Sequence, residues 1–419
     1  MDIRLMAKGL KGEVKVPSSK SAAHRAVIAA AIAKGESKIY DVTMCDDIIA
    51  TVGAVNALGC EANIEGDTIT VKGIENPSKE AVIDCKESGS TVRFMIPLAA
   101  AYGTKALFNG SGRLPQRPLD DIITALSECG ISFKRLGKDY LPLEATGCLN
   151  GNRVNIAGKV SSQYLTGLLF ASAVKGGSVK LTTRLESSAY VDMTCQMIER
   201  FGGKVDIENG LYNLSGGLSA RDIKVEGDWS AAAFFFEASA LGSEIDLIGL
   251  DPQSKQADKA CVDIFSRMGV GIKFEDGKYR LRPAKRLVAT DMDASGCPDL
   301  VPAVAVAMAF AEGTSTIYNA GRLRIKESDR LKAVADGLAA LGIKTELAKD
   351  KITIFGGQGH GGTVNSVNDH RIAMAFACAT SAVGDEIIIK DAHSVSKSYP
   401  DFFEVFSSLG GKAYVINNG

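Results

Sequence analysis

Apolar residues between positions 331 and 341 fall at Leu331, Val334, Leu338 and Leu341, the spacing of one helical face. After Gly342 the period drops to two. Ile343, Thr345 and Leu347 alternate, and Ile352 and Ile354 sit in a returning strand. The same change recurs along the chain, at Leu58-Gly59, Cys129-Gly130, Phe201-Gly202, Met268-Gly269, Leu341-Gly342 and Leu409-Gly410. These stops are about 70 residues apart, and a glycine just past the last periodic residue is the expected left-handed C-cap.

A second helix, rich in alanine, is predicted ahead of each of these. Small polar residues open it: Ser18-Ser19-Lys20-Ser21, Ser88-Gly89-Ser90-Thr91, Ser161-Ser162-Gln163, Gly227-Asp228-Trp229-Ser230, Pro298-Asp299 and Asn368-Asp369-His370. Each repeat therefore reads as strand, buried helix, strand, outer helix and further strands, a βαβαββ-type α/β unit. The sixth repeat ends at a single strand, Ala413 to Ile416, so the strand near Ile3 to Ala7 is expected to complete it. A chain of 419 residues exceeds the roughly 250–300 that one core sustains, so six repeats divide as three and three.

Composition narrows the function. Forty-eight Lys and Arg stand against 49 Asp and Glu, a net charge of −1 without the basic excess of a nucleic-acid binder. Any anion site must be local. The nine cysteines form no C-x-x-C pair and only four histidines could join them, so no metal is expected and the thiols read as small buried residues of a reducing cytosol. No export signal is visible after Met1, and the longest apolar run, Leu300 to Ala311, is about twelve residues where a membrane span needs about twenty. A cytoplasmic protein, bound to neither membrane nor nucleic acid and monomeric, is expected.

Local charge lies at the helix starts. Lys20 at a helix amino terminus opposes the macrodipole unless an anion sits there, and Arg25 follows within about a turn and a half. Gly89 lets a ligand approach backbone amides. Outer helices add Arg117, Ser187 with Tyr190, Lys326-Glu327-Ser328-Asp329-Arg330, and Lys397, while Arg371 follows Asp369-His370. Taken singly, Glu327 and Arg330 could be a helical ion pair, and Asp299 or Asp369 an N-cap. Seven cations at or near helix starts repel by about 4 kcal/mol per close pair at an effective dielectric near 20, so bound anions are expected to neutralise them.

These motifs resemble those of the enolpyruvyl transferases, and within that family the 5-enolpyruvylshikimate-3-phosphate synthases. The matches run in order: Pro17-Ser18-Ser19-Lys20-Ser21 with Arg25, Gly89 to Arg93, Arg117-Pro118, Ser161-Ser162-Gln163, Pro298-Asp299, Lys326-Glu327 with Asp329-Arg330, Asn368 to Arg371, and Lys397 to Asp401. The resemblance implies a two-domain inside-out α/β barrel, with residues 1–18 and 226–419 in one domain, 19–225 in the other, and the active site in the cleft between them. It implies transfer of the enolpyruvyl group of phosphoenolpyruvate to the 5-hydroxyl of shikimate 3-phosphate, a step of aromatic amino acid biosynthesis needing no cofactor. By the same match Lys20, Ser21, Arg25, Ser161, Ser162, Gln163, Ser187, Tyr190, Asp299 and Lys326 would hold shikimate 3-phosphate. Lys20, Gly89, Arg117, Gln163, Arg330, Arg371 and Lys397 would hold phosphoenolpyruvate. Asp299 would accept the hydroxyl proton, Glu327 would protonate the methylene carbon, and Lys20 would share the proton work.

The chain departs from the better-known branch of the family by carrying Glu87-Ser88-Gly89-Ser90 in place of Asn-Ala-Gly-Thr, in the pocket that glyphosate would occupy, and no Pro follows Arg93. The sister enzyme acting on UDP-N-acetylglucosamine has Asn where this chain has Ser21, and a reactive Cys in the loop that here reads Ser111-Gly112-Arg113-Leu114-Pro115-Gln116-Arg117. An RNA 3′-phosphate cyclase, or a repeat protein that only binds partners, leaves Glu327 and Arg330 together with Asp299 unexplained.

Overall fold

A computed structural model describes residues 1–151, 153–158 and 161–416. The chain divides into two compact units, one of Met1–Pro17 with everything from Glu226 onward, the other Ser18–Val225.

Buried and outer helices alternate in both. Ser18–Val225 contains α1 (Lys20–Ile32) and α2 (Asp46–Ala57), α3 (Gly89–Tyr102) and α4 (Asp120–Ser127), α5 (Ser162–Lys175) and α6 (Ser188–Arg200). The other unit has α7 (Trp229–Ala240) and α8 (Cys261–Arg267), α9 (Val301–Ala309) and α10 (Arg330–Ala340), then α11 (His370–Cys378), the short α12 (Thr380–Val383) and α13 (Phe402–Ser408). Every residue of α9 is buried, as is α1 from Ala22 to Ala31. A helix apolar on all sides belongs inside a core, and alanine lets its neighbours approach closely. Each unit has its own core.

The polar residues that open the buried helices act as caps. Ser19 accepts from the Ala22 amide at 3.3 Å, Ser88 from Thr91 at 3.2 Å, Ser161 from Gln163 at 3.3 Å, Asp228 from Ala231 at 3.0 Å and Asp369 from Arg371 at 3.0 Å. Such a cap is worth about 1 kcal/mol. The fifth repeat differs: Asp299 lies inside a 3₁₀ turn, Pro298–Leu300, that leads into α9, and makes no cap bond. Its carboxylate is thereby left for other partners. At the far ends of the outer helices the six stop glycines take φ between 81 and 103°, which side chains disfavour.

Among the described residues the strands form six four-stranded sheets of one design. Two parallel strands are followed by an antiparallel hairpin, as in Glu80–Asp84, Lys105–Asn109, Leu143–Thr146 and Ser132–Arg135. Two strands serve repeats distant in sequence. Lys11–Lys15, just before α1, pairs with Glu244–Ile248, and Ile223–Lys224 pairs with Glu36–Tyr40. The amino-terminal strand Asp2–Met6 lies between Ile387–Lys390 and Lys412–Ile416, completing the sixth sheet.

No described helix is long and apolar enough to cross a membrane. Seven cysteines are buried, but Cys148 is exposed and Cys129 half-buried, so the expectation that all nine are core residues fails at the two ends of a surface hairpin.

Candidate active site

In the unit containing the amino-terminal strand, three cations and three carboxylates meet. Arg330, the first residue of α10, is 1% exposed. Its guanidinium donates from Nη1 to Asp299 Oδ1 at 2.8 Å, from Nη2 to Glu327 Oε2 at 2.7 Å and from Nε to Asp369 Oδ2 at 2.8 Å. Arg371, in the first turn of α11, donates to Asp299 Oδ2 at 3.0 Å, and Lys326 reaches Asp299 Oδ1 at 3.4 Å. Ser328 Oγ donates to Asp369 at 2.9 Å.

Two expectations are corrected by this cluster. Glu327 precedes the helix that Arg330 opens, behind the N-cap Asp329, so the pair is a loop-to-helix clasp rather than a helical i,i+3 bridge. The cations here are neutralised from within, three by three, so bound anions are not required to offset their repulsion.

The electrostatics follow from burial. Burial pushes the Asp299 carboxyl up, but Arg371, Lys326 and Arg330 outweigh it and hold the group well below the usual carboxylate range. Burial lowers the Lys326 ammonium against the pull of Asp299 and Glu327. Burial also opposes the Arg330 charge, yet Asp369, Glu327 and Asp299 prevail and raise it. Nearby, Asp258 accepts from Ser230 Oγ, and burial together with the Asp299 charge raises its carboxyl to about 6. Lys397 donates to the Asn368 carbonyl at 2.6 Å, one residue before the α11 cap.

The remaining candidates belong to Ser18–Val225 and form two groups. Lys20, the first residue of α1, donates to Asp47 Oδ2 at 2.7 Å, so the ammonium at that helix start has an internal carboxylate partner in the first turn of α2. Gly89 opens α3. A Cβ there would lie 2.6 Å from Nη1 of both Arg117 and Arg93, so only glycine lets two guanidiniums close on this helix start. Arg93 donates to Gln163 Oε1 at 3.1 Å and to the Gly89 carbonyl at 3.2 Å, and Gln163 Nε2 donates to Ser90 Oγ at 2.9 Å.

In the second group Arg25 donates to the Ser21 carbonyl at 2.7 Å, Thr194 Oγ1 at 2.9 Å and the Tyr190 carbonyl at 2.9 Å. Burial lowers its guanidinium to about 10. Ser161 and Ser162 open α5, and Ser187 precedes α6 with a left-handed φ of 54°.

Sequence reasoning placed Arg93 in a motif without a role and passed over Asp47 and the Asp258–Ser230 pair. Arg93 lies four residues after Gly89, hence on the same helical face, which is a usable signal. Asp46-Asp47 reads as ordinary acid in a first turn, and Asp258, in the 3₁₀ turn Ala257–Ala260, belongs to no motif. Among the described residues no group of three or more His, Cys, Asp or Glu side chains is placed to hold a metal ion. The arrangement suits small anions, held by guanidinium and ammonium groups beside carboxylates able to move protons.

A family model described as EPSP synthase (3-phosphoshikimate 1-carboxyvinyltransferase) matches residues 6–406. The chain is 41% identical to the 3-phosphoshikimate 1-carboxyvinyltransferase of Clostridium perfringens over 96% of both proteins. It is 42% identical to that of Clostridium beijerinckii over 98% of both. Among solved structures, an EPSP synthase from Acinetobacter baumannii superposes with a TM-score of 0.80 at 26% identity, covering 99% of this chain and all of the other.

Proposed function

The chain belongs to the EPSP synthase (3-phosphoshikimate 1-carboxyvinyltransferase) family, and from that premise we propose that it transfers the enolpyruvyl group of phosphoenolpyruvate to the 5-hydroxyl of shikimate 3-phosphate, releasing phosphate. In this reading Ser21, Arg25, Ser161, Ser162, Ser187, Tyr190 and Lys326 hold shikimate 3-phosphate. Gly89, Arg117, Arg330, Arg371 and Lys397 hold phosphoenolpyruvate, and Lys20 and Gln163 touch both.

The observation that carries the reading is the contact of Asp299 with Lys326, Arg330 and Arg371. Three cations on one carboxylate make it a weak base. A phosphate or carboxylate that draws Arg330 and Arg371 to itself takes that stabilisation away, so arrival of the second substrate raises the basicity of Asp299 at the hydroxyl it must deprotonate. The hydroxyl oxygen then bonds to C2 of phosphoenolpyruvate while Glu327 gives a proton to C3, forming a tetrahedral adduct. Breaking the bond from C2 to the phosphate oxygen, with loss of a C3 proton, yields the enol ether and phosphate. In this reading Lys20 is a third side chain able to move a proton.

The test is phosphate release by purified protein given each substrate alone and then both. Release above background only with both is expected, and no release with both would refute the assignment. Asp299→Ala or Glu327→Gln should lower turnover at least about 100-fold, the scale of a positioned acid or base, while shikimate 3-phosphate still binds.

A further inference from the structure

Beneath Lys20 and Gly89 runs a buried chain of hydrogen bonds that no role above uses. His24 Nδ1 lies 2.7 Å from Thr51 Oγ1, which lies 2.7 Å from Thr91 Oγ1, which donates to Ser88 Oγ at 2.7 Å. All four residues are at most 1% exposed. They come from three elements, one turn beneath the groups that face the chemistry. His24 follows Lys20 by four residues on α1, Thr51 follows Asp47 by four on α2, and Ser88 caps α3 directly before Gly89.

Thr91 gives its hydroxyl hydrogen to Ser88, so at its contact with Thr51 it accepts; the Asp47 carbonyl, 3.3 Å from Thr51 Oγ1, is a longer second acceptor for the Thr51 hydrogen, and a proton on His24 Nδ1 completes the chain. Burial and the charges of Lys20 and Arg25 keep this imidazole neutral, with its pKa well below the usual value. Its Nε2 makes no hydrogen bond, and the ring meets Phe94 edge-on.

A separate network serves the other half of the unit. Arg25, Thr166 and Thr194 join α1 to α5 and α6, where Ser161, Ser162 and Tyr190 lie, and Thr166 and Thr194 are 2.8 Å apart. We propose that the His24–Thr51–Thr91–Ser88 chain is a positioning device for the phosphoenolpyruvate half of the site, locking the starts of α1, α2 and α3 so that Lys20, Asp47 and Gly89 keep one geometry. The proposal rests on the transferase reading above, and its members are positioning residues, none of which touches a substrate.

Thr51→Val removes the central hydroxyl at nearly constant volume, and Thr51→Ser restores it. Steady-state kinetics with both substrates, at a temperature where circular dichroism shows each variant folded, decide the matter. Losing a buried hydrogen bond on both sides of Thr51 should raise KM for phosphoenolpyruvate at least about fivefold in Thr51→Val. KM for shikimate 3-phosphate, which shares only Lys20 with the groups this chain positions and keeps its proposed contacts on α5 and α6, should rise by no more than about twofold, and Thr51→Ser should recover most of the loss. A variant that loses only melting temperature, or in which both KM values rise together, overturns the positioning role. Should Thr51→Val not fold, Thr91→Val and Thr91→Ser are read by the same criterion. An inactive wild-type protein would instead refute the transferase assignment, so the two failures are distinct.

Discussion

Asp299 shows how one residue can be held in reserve. Arg330, Arg371 and Lys326 keep its carboxylate ionised, and a base so stabilised takes a proton poorly. If anions compete for those cations, the acid limb of kcat, which reports the substrate complex, should lie at higher pH than the acid limb of kcat/KM, which reports free enzyme. Rate profiles between pH 4 and 9 check this, and coincident limbs would count against it. Asp369 is the fixed end of the same cluster: fully buried, bonded to Arg330 and Ser328, and capping α11. Asp369→Ala leaves the buried Nε of Arg330 without its acceptor while Asp299 and Glu327 still pair with the guanidinium, and it removes the α11 cap, so it should cost about 2–4 kcal/mol in urea unfolding. The residue types of this cluster could be read in the sequence, since Lys326, Glu327, Arg330 and Asp369 stand at helix starts. Of their pairings, only that of Glu327 with Arg330, three positions apart, could be. Otherwise, which carboxylate meets which cation depends on contacts between residues about 30 to 70 positions apart, on which helical periodicity is silent.

At the level of elements, caps and stops were legible because both are local chemistry: Ser19, Ser88, Ser161, Asp228 and Asp369 bond within three residues of themselves. Asp299 broke the pattern because it lies within the 3₁₀ turn Pro298–Leu300 and not ahead of it. Helix α7 holds a feature with no local sign. Glu237, which follows Phe234-Phe235-Phe236, is fully buried, and neither carboxylate oxygen has a hydrogen-bond partner. Burial pushes its pKa well above the usual value. The folded state therefore keeps a proton that the unfolded chain releases near pH 4.5, so stability falls as pH rises from there toward the folded value. Glu237→Met should stabilise by roughly 1–3 kcal/mol where the carboxyl is neutral, and by more at pH 8 than at pH 5. Thermal melts at both pH values test this.

For the whole molecule, the six-fold repeat was visible in sequence because each copy repeats the same change of period. The exchange of Lys11–Lys15 and Ile223–Lys224 between distant repeats was not, since a short strand carries no label of its partner. The three sheets of Ser18–Val225 are built entirely from its own strands, around its own core. This segment expressed alone should therefore melt in a single cooperative transition by circular dichroism. The other unit should fail the same test without residues 1–9, which include an inner strand.

That inner strand sets an order of events during synthesis. Asp2–Met6 leaves the ribosome ahead of every other described strand, and both of its partners lie beyond residue 386. At about 5–20 residues per second it waits roughly 20 to 80 seconds with its hydrogen-bonding groups open, while Ser18–Val225 is completed behind it. This strand is thus among the last to become structured, and chaperones that bind extended segments have a long opportunity at Asp2–Met6.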